Sequence, residues 1–334
     1  MSAASGTVGS TQRAPADALV AWARRNGWVL CLLVLLGALF VFTKMINPGY
    51  GVTGLQGFAI SVLPLAMAAV AQAICVIGGG IDLSVGSMMA LTSVVAATQM
   101  KGQGEEFGVV VVVGVLLLGL VLGAVNGSVI VLTRVPDIVV TLAMAFVWGG
   151  SALVILASPT AGSAQWLKDL VLGSLVSEWI PKAAVLLLVI VAVVWIPLRR
   201  TRLGLSIYAI GSNQLAAFRS GVSVGRTKVA AYSLTGLFAA LGGLSLTAST
   251  GIGNPVPGPY TLLSVAAVVL GGVSLAGGRG GVFGPIIGVL ILVLIQNDLA
   301  FLSLDPNLSL VTQGLILIGV VMFGSLIQWR QGRR

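Results

Sequence analysis

Residues 199–228 read RRTRLGLSIYAIGSNQLAAFRSGVSVGRTK, with six basic residues and no acidic one. Apolar runs flank this interval on both sides, among them 28–45, 55–77, 109–122 and 183–196. Runs of about 18 apolar residues with few charges are the signature of spanning helices. They lack the strict alternation that strands of a membrane barrel require. The interval is therefore a polar seam between two membrane-embedded halves. Around Gly211, Ser212 and Asn213 it carries two short helix-like segments.

Composition agrees. Of 334 residues, 57% are hydrophobic and 8% charged, with a mean hydropathy of +1.08. This is the balance of an all-α polytopic membrane protein, not of two soluble domains. Forty-five glycines fit a bundle whose helix backbones approach closely. Cys31 and Cys75 fall inside apolar runs and read as two buried thiols that pack as small hydrophobes. The chain has no histidine, which removes the usual zinc ligand, the histidine relay and every Ser-His or Cys-His nucleophile. Neither a metal nor a cofactor is expected. The net charge of +9 sits between spans, where it speaks of membrane topology and not of nucleic acid.

Ten spans are predicted, at about 28–45, 55–77, 84–100, 107–132, 138–157, 183–198, 229–249, 260–276, 282–296 and 308–327. Residues 1–27 form an N-terminal segment, 28–327 a transmembrane domain and 328–334 a tail. Within the domain, 28–198 and 229–327 are the two halves and 199–228 the loop that joins them. Pro64 predicts a kink in the second span. The first run is too long for a cleaved signal core and reads as a retained helix. With both termini inside, 14 of the 18 basic residues fall on the inner side, as the positive-inside rule demands. Trp166 and Trp179 suit an interfacial belt on the other side.

The two halves carry similar punctuation. Ile81-Asp82-Leu83-Ser84-Val85-Gly86-Ser87 leads into a span, a glycine-rich turn, another span, Asn126-Gly127 and Pro136. Pro259-Tyr260-Thr261-Leu262-Leu263-Ser264-Val265 leads into the same series, ending at Asn297-Asp298 and Pro306. The two series start on opposite faces, the mark of an inverted-topology repeat. Broken helix starts at matching places point to a solute path, so Asp82, Ser84, Asn126, Asn254, Tyr260 and Asn297 are candidates for the path or its gate. Each has a structural alternative. Asp82 or Ser84 is also a natural helix N-cap, and Asn126 and Asn297 are natural interhelical hydrogen-bonding residues. Arg279, among four glycines, reads as a topology anchor; no Walker-type phosphate loop occurs.

GGGIDLSVGSMMAL (78–91), AIGSNQLAAFRSGVSVGRTKVAAYSLTGLFAALGGL (209–244) and AAVVLGGVSLAGGRGGVFGPIIGVL (266–290) resemble the ribose/xylose-type permease subunits of bacterial ABC sugar importers. The resemblance runs over about 30–327. It implies a ten-helix inner-membrane permease that pairs with a second permease, identical or related. It also implies solute delivered by a periplasmic sugar-binding protein and power from a cytoplasmic ABC ATPase. The loop after the sixth span would carry the coupling helix, whose pattern falls on Gly211, Asn213, Ala216, Ala217, Arg219 and Gly221, with Phe218 as an apolar plug beside Leu215. Two departures stand out. Gln214-Leu215 replaces the family's common Pro-Glu, and Tyr260-Thr261-Leu262-Leu263-Ser264-Val265-Ala266 lacks the two acids of the usual Tyr-Glu-Leu-Asp-Ala-Ile-Ala.

The leading expectation is thus the translocation subunit of an ATP-driven importer for a simple sugar or sugar-like solute, itself no enzyme. The alternative is an ion-coupled secondary transporter, which also uses inverted repeats. The absence of histidine, with Asp82 as the one carboxylate placed to lie deep, argues against proton coupling. No paired carboxylates or activated nucleophile suggest catalysis.

Overall fold

The computed structural model describes residues 27–303 except Pro257, together with seven positions between 308 and 322. The N-terminal segment, Pro306, most of the tenth span and the C-terminal tail lie outside the described residues. In chain order the helices are α1 (Gly27–Ile46), α2 (Val52–Ile77), α3 (Val85–Met100), α4 (Glu105–Thr133), α5 (Asp137–Ile155) and α6 (Gln165–Val171). There follow α7 (Lys182–Arg200), α8 (Arg202–Ser212), α9 (Gln214–Arg219), α10 (Val224–Thr250), α11 (Tyr260–Leu270) and α12 (Phe283–Phe301). Two-residue strands, β1 (Thr160–Ala161) and β2 (Ile252–Gly253), pair antiparallel. Seven of these helices are long and apolar enough to cross a membrane. The chain is an all-α polytopic membrane protein.

Burial sorts the helices by environment. α2 is apolar all round and buried nearly all round, from Phe58 through Ile77; such a helix belongs at the centre of a bundle. α1 and α5 are equally apolar but mostly uncovered, with Phe146 76% and Val154 88% exposed. Apolar surface of that extent belongs against lipid or a partner's membrane helices. Cys31 shares this outward position, contrary to the sequence expectation, whereas Cys75 is buried. α2 is one helix across Pro64.

α10 packs against α2, α3 and α4, and small residues allow it. Gly119, Gly123 and Gly127 lie on one face of α4 at four-residue spacing. A Cβ on Gly123 would run into the backbone of Tyr232, and one on Gly236 into that of Gly119. Lipid gives helices no hydrophobic drive to associate, so close backbone packing and hydrogen bonds must do it. The hydrogen bonds are present: Ser93 Oγ and Thr247 Oγ1 share one at 2.8 Å, and Thr235 Oγ1 donates to Ala71 O at 3.2 Å.

Several boundaries differ from the sequence reading. The eighth span stops at Leu270, because Gly271 caps it and Gly272 takes φ +77°. The seventh starts at Val224, so Arg226 and Lys228 belong to its first turns and not to the joining loop. The ninth continues to Phe301, since Asp298 is buried against Thr43, whose Oγ1 donates to Asp298 Oδ1 at 2.7 Å. α7 contains one wide turn, the π-helical Val191–Trp195.

The glycine seam yields a direct test. Gly123→Leu should cost about 3 kcal/mol or more of stability, because a leucine there meets backbone that has no rotamer to escape into. Gly114→Leu, on the same helix with open space around it, should be silent. Thermal unfolding of the detergent-solubilised variants separates the two.

Candidate functional site

The joining segment folds as its residue types dictate. Asn213 is the N-cap of α9, its Oδ1 accepting from Ala216 N at 2.9 Å, as short polar side chains do. Thr201 does the same for α8, accepting from Gly204 N at 3.2 Å. Gly221, at φ +84°, ends α9 with Val222 N donating to Ala217 O at 3.0 Å, a left-handed stop that favours glycine. Arg219 sits in the last turn, where a cation complements the carbonyl end. Only Ala217 of α9 is buried. Leu215 and Phe218 are 59% and 67% exposed, leaving an apolar edge uncovered among the described residues.

Beneath this segment two broken helix ends meet. α2 ends in Gly78-Gly79-Gly80, and α11 in Gly271-Gly272. Both stop with a second glycine at positive φ and a backward bond, Gly80 N to Cys75 O at 3.0 Å and Val273 N to Val268 O at 3.1 Å. Gly278 N then donates to Ile77 O at 2.9 Å, joining the two loops. Gly211 lies over the junction, so close that a Cβ would strike Ile77 O and Gly278 N. Tyr208 adds a bond from its hydroxyl to Gly280 O at 2.8 Å. Burial raises the Tyr208 phenol pKa against the opposing charge of Arg199, which keeps it a donor.

Three of the candidate path residues form one buried network. Asp82 Oδ1 accepts from Ser84 N at 2.8 Å and from Ser84 Oγ at 2.6 Å. Asn126 Nδ2 donates to Ser84 Oγ at 2.8 Å, and Trp148 Nε1 donates to Asn126 Oδ1 at 3.1 Å. Gln72, with its amide nitrogen turned to the loop, donates to Asp82 O at 2.9 Å and accepts from Asp82 N at 3.3 Å. Asp82, Ser84 and Asn126 are completely buried. Asp82 therefore orders the turn before α3; neither its side chain nor that of Ser84 caps the helix itself. Asp82 Oδ2 has no partner among the described residues.

The other three candidates line open space. Tyr260 and Asn297, with Ser61, Ser249, Thr250 and Gln296, border a cavity of about 390 Å³ between α2, α10, α11 and α12. Tyr260 and Asn254, with Ser93 and Thr250, border a second of about 360 Å³ beside α3. Tyr260, Leu246 and Thr250 belong to both. The linings mix hydroxyls and amides with apolar walls and contain no charged side chain. Thr261 and Leu263 stand where the resembling pattern has acids. Thr261 Oγ1 accepts from Gly86 N at 2.9 Å, pinning the start of α3 to the start of α11, and Leu263 is part of the apolar wall.

Sequence reasoning missed one polar centre. Lys228 Nζ contacts Asp137 Oδ1 at 2.7 Å with both side chains largely buried, and Tyr232 hydroxyl donates to Asp137 Oδ2 at 2.9 Å. This pair ties the start of α5 to the start of α10. Its only signal was charge, and Lys228 had been counted toward topology. Ser61 and Gln296, polar residues inside apolar spans, were the readable but unread signal for the first cavity.

For the buried network, Asp82→Asn keeps the accepting oxygen and should stay within about 1 kcal/mol of the parent, whereas Asp82→Ala strands the Ser84 donors at a cost of about 2–3 kcal/mol. Unfolding of the two variants, measured side by side in detergent, checks the difference.

A family model described as "Branched-chain amino acid transport system / permease component" matches residues 54–321. The ribose import permease protein RbsC of Escherichia coli (strain K12) is 33% identical over 307 residues, 90% of this chain and 94% of that protein. RbsC of Bacillus subtilis (strain 168) is 35% identical over 249 residues, 74% and 77% of the two chains. The galactose/methyl galactoside import permease protein MglC of Salmonella typhimurium is 32% identical over 329 residues, 91% and 95%. No solved structure matches the chain. Matched across these lengths, the protein belongs to this family: it is a membrane-spanning permease component of an ABC importer, and not itself an enzyme.

Proposed function

We propose that this permease carries a sugar or sugar-like polyol from a periplasmic binding protein across the bacterial inner membrane, powered by an ATPase docked on α9. The observation that carries the solute class is the pair of adjoining cavities that share Tyr260. They are of binding-site size, rich in neutral hydroxyl and amide groups, and free of charge. A solute amino acid would bring an ammonium and a carboxylate with no counter-charge waiting. A sugar brings hydroxyls. The names of the curated relatives, ribose, galactose and allose permeases, favour the same class. The ion-coupled alternative has no carboxylate in either lining to support it.

In this reading α9 is the coupling helix. The exposed Leu215 and Phe218 enter a groove of the ATPase, and Arg219 contributes its charge at the rim. Closure of the ATPase pair on ATP must favour one state of the permease over the other, since a partner that binds both equally shifts nothing. The motion enters at Gly211 and passes to the ends of α2 and α11. The segment 201–223, between α7 and α10, is the seam between the two halves, which we take to be inverted repeats. Two permeases, identical or related, complete the path.

Orientation follows from charge. Arg134, Arg199, Arg200, Arg202, Arg219, Arg226, Lys228 and Arg279 belong to the end that carries α8 and α9, against Lys44, Lys101, Lys168 and Lys182 at the other. By the positive-inside rule the α9 end faces the cytoplasm, with both termini on that side.

Reconstitution with the cognate ATPase and binding protein tests the proposal. Uptake of labelled ribose or galactose should require ATP and the binding protein. Ala216→Trp and Arg219→Ala should each lower uptake at least about tenfold, roughly 1.4 kcal/mol of lost coupling, while ATP hydrolysis and membrane insertion persist. Uptake unchanged in both variants would remove α9 from the coupling role. Uptake driven by an ion gradient alone would remove the mechanism.

A further inference from the structure

The end of α7 carries a feature that neither cavity nor coupling segment uses. Trp195, Ile196, Arg199, Arg200 and Phe283 border a separate space of about 420 Å³. Trp195 is 4% exposed, and its indole Nε1–H is buried without an acceptor among the described residues. An unmet buried donor is costly and calls for a partner. The wide π-helical turn Val191–Trp195 sets the ring in place; such turns concentrate at functional sites because they give up regular helical bonding.

The two arginines are equally unanswered. Neither has an ion-pair or hydrogen-bond partner among the described residues, and no Asp or Glu occurs between Glu178 and Asp298. Of the described acids at this end of the bundle, Asp82 is sealed in its own network and Asp137 is held by Lys228. The remaining walls are apolar and uncovered: Ile196 is 41% and Phe283 52% exposed. α7 is 19 residues long, about one hydrocarbon thickness, so its last turn stands at the level of lipid headgroups.

We propose that this space is a binding site for an anionic phospholipid. The phosphate lies between Arg199 and Arg200 and accepts from Trp195 Nε1, and an acyl chain runs along Ile196 and Phe283. Guanidinium groups suit phosphate oxygens, and basic pockets between transmembrane helices bind acidic headgroups. The apolar half of the lining selects a lipid over free phosphate. The site does not depend on the coupling role of α9 or on the solute.

Titration of the purified full-length permease with phosphatidylglycerol, followed by native mass spectrometry, tests it. Wild type should retain phosphatidylglycerol and not phosphatidylcholine. The double variant Arg199→Gln/Arg200→Gln should bind it about thirtyfold more weakly, from about 1 kcal/mol per arginine. Trp195→Phe, which keeps an aromatic ring but removes the N–H donor, should weaken binding on its own and guards against misfolding of the double variant. Excess inorganic phosphate should not displace the lipid. Equal retention of phosphatidylcholine, unchanged affinity in the arginine variant, or displacement by inorganic phosphate would each overturn the proposal.

Discussion

Backbone that leaves the helix inside a membrane protein must find protein partners for every group it frees, because lipid offers none. This requirement organises the centre of the molecule. Between α2 and α3 the chain is non-helical and largely buried, and its groups are met one by one. Leu83 N donates to Thr141 Oγ1 at 3.0 Å, and Thr141 Oγ1 donates in turn to Ile81 O at 3.1 Å. Ser84 N goes to Asp82, and the Asp82 peptide groups go to Gln72. Ile77 O is met by Gly278 N from the other broken loop. α3, α5, α11 and the Gly278 loop are locked together because they share the task of satisfying one break.

The same lock gives the molecule a continuous route from surface to interior. α2 and α11 end beneath Gly211, and at their other ends they supply Ser61, Pro64, Tyr260 and Leu263 to the first cavity. A displacement of α8 and α9 would therefore act on the ends of two helices whose far portions wall the first cavity. Close-packed interiors respond to such loads by switching arrangement and not by stretching. In the proposed mechanism this is how ATP hydrolysis outside the membrane changes access within it.

Much of this was legible from residue order. Apolar runs located nine described helices near their observed places, and the two short helices expected around Gly211, Ser212 and Asn213 are α8 and α9. What stayed hidden was anything set by long-range pairing. An apolar run cannot tell α2, buried nearly all round, from α5, which is mostly uncovered; both are simply hydrophobic. The short α11 was read as a full span because Val273-Ser274-Leu275-Ala276 is apolar enough to continue a helix, and only the positive φ of Gly272 ends it. The split of the six path candidates into a sealed network and a cavity lining depended on which helix faces which. The Lys228–Asp137 pair was invisible for the same reason, its partners being 91 residues apart.

In the proposed mechanism Gly211 is the joint between the ATPase contact and the first cavity. The most direct measurement is a spin-label distance across the first cavity, between Ser61→Cys and Gln296→Cys, in the reconstituted transporter with Cys31 replaced by serine. The distance should change when ATP is trapped on the ATPase, and Gly211→Val should abolish that change while leaving ATP binding intact. A cavity that still responds fully to ATP with valine at 211 would contradict the account.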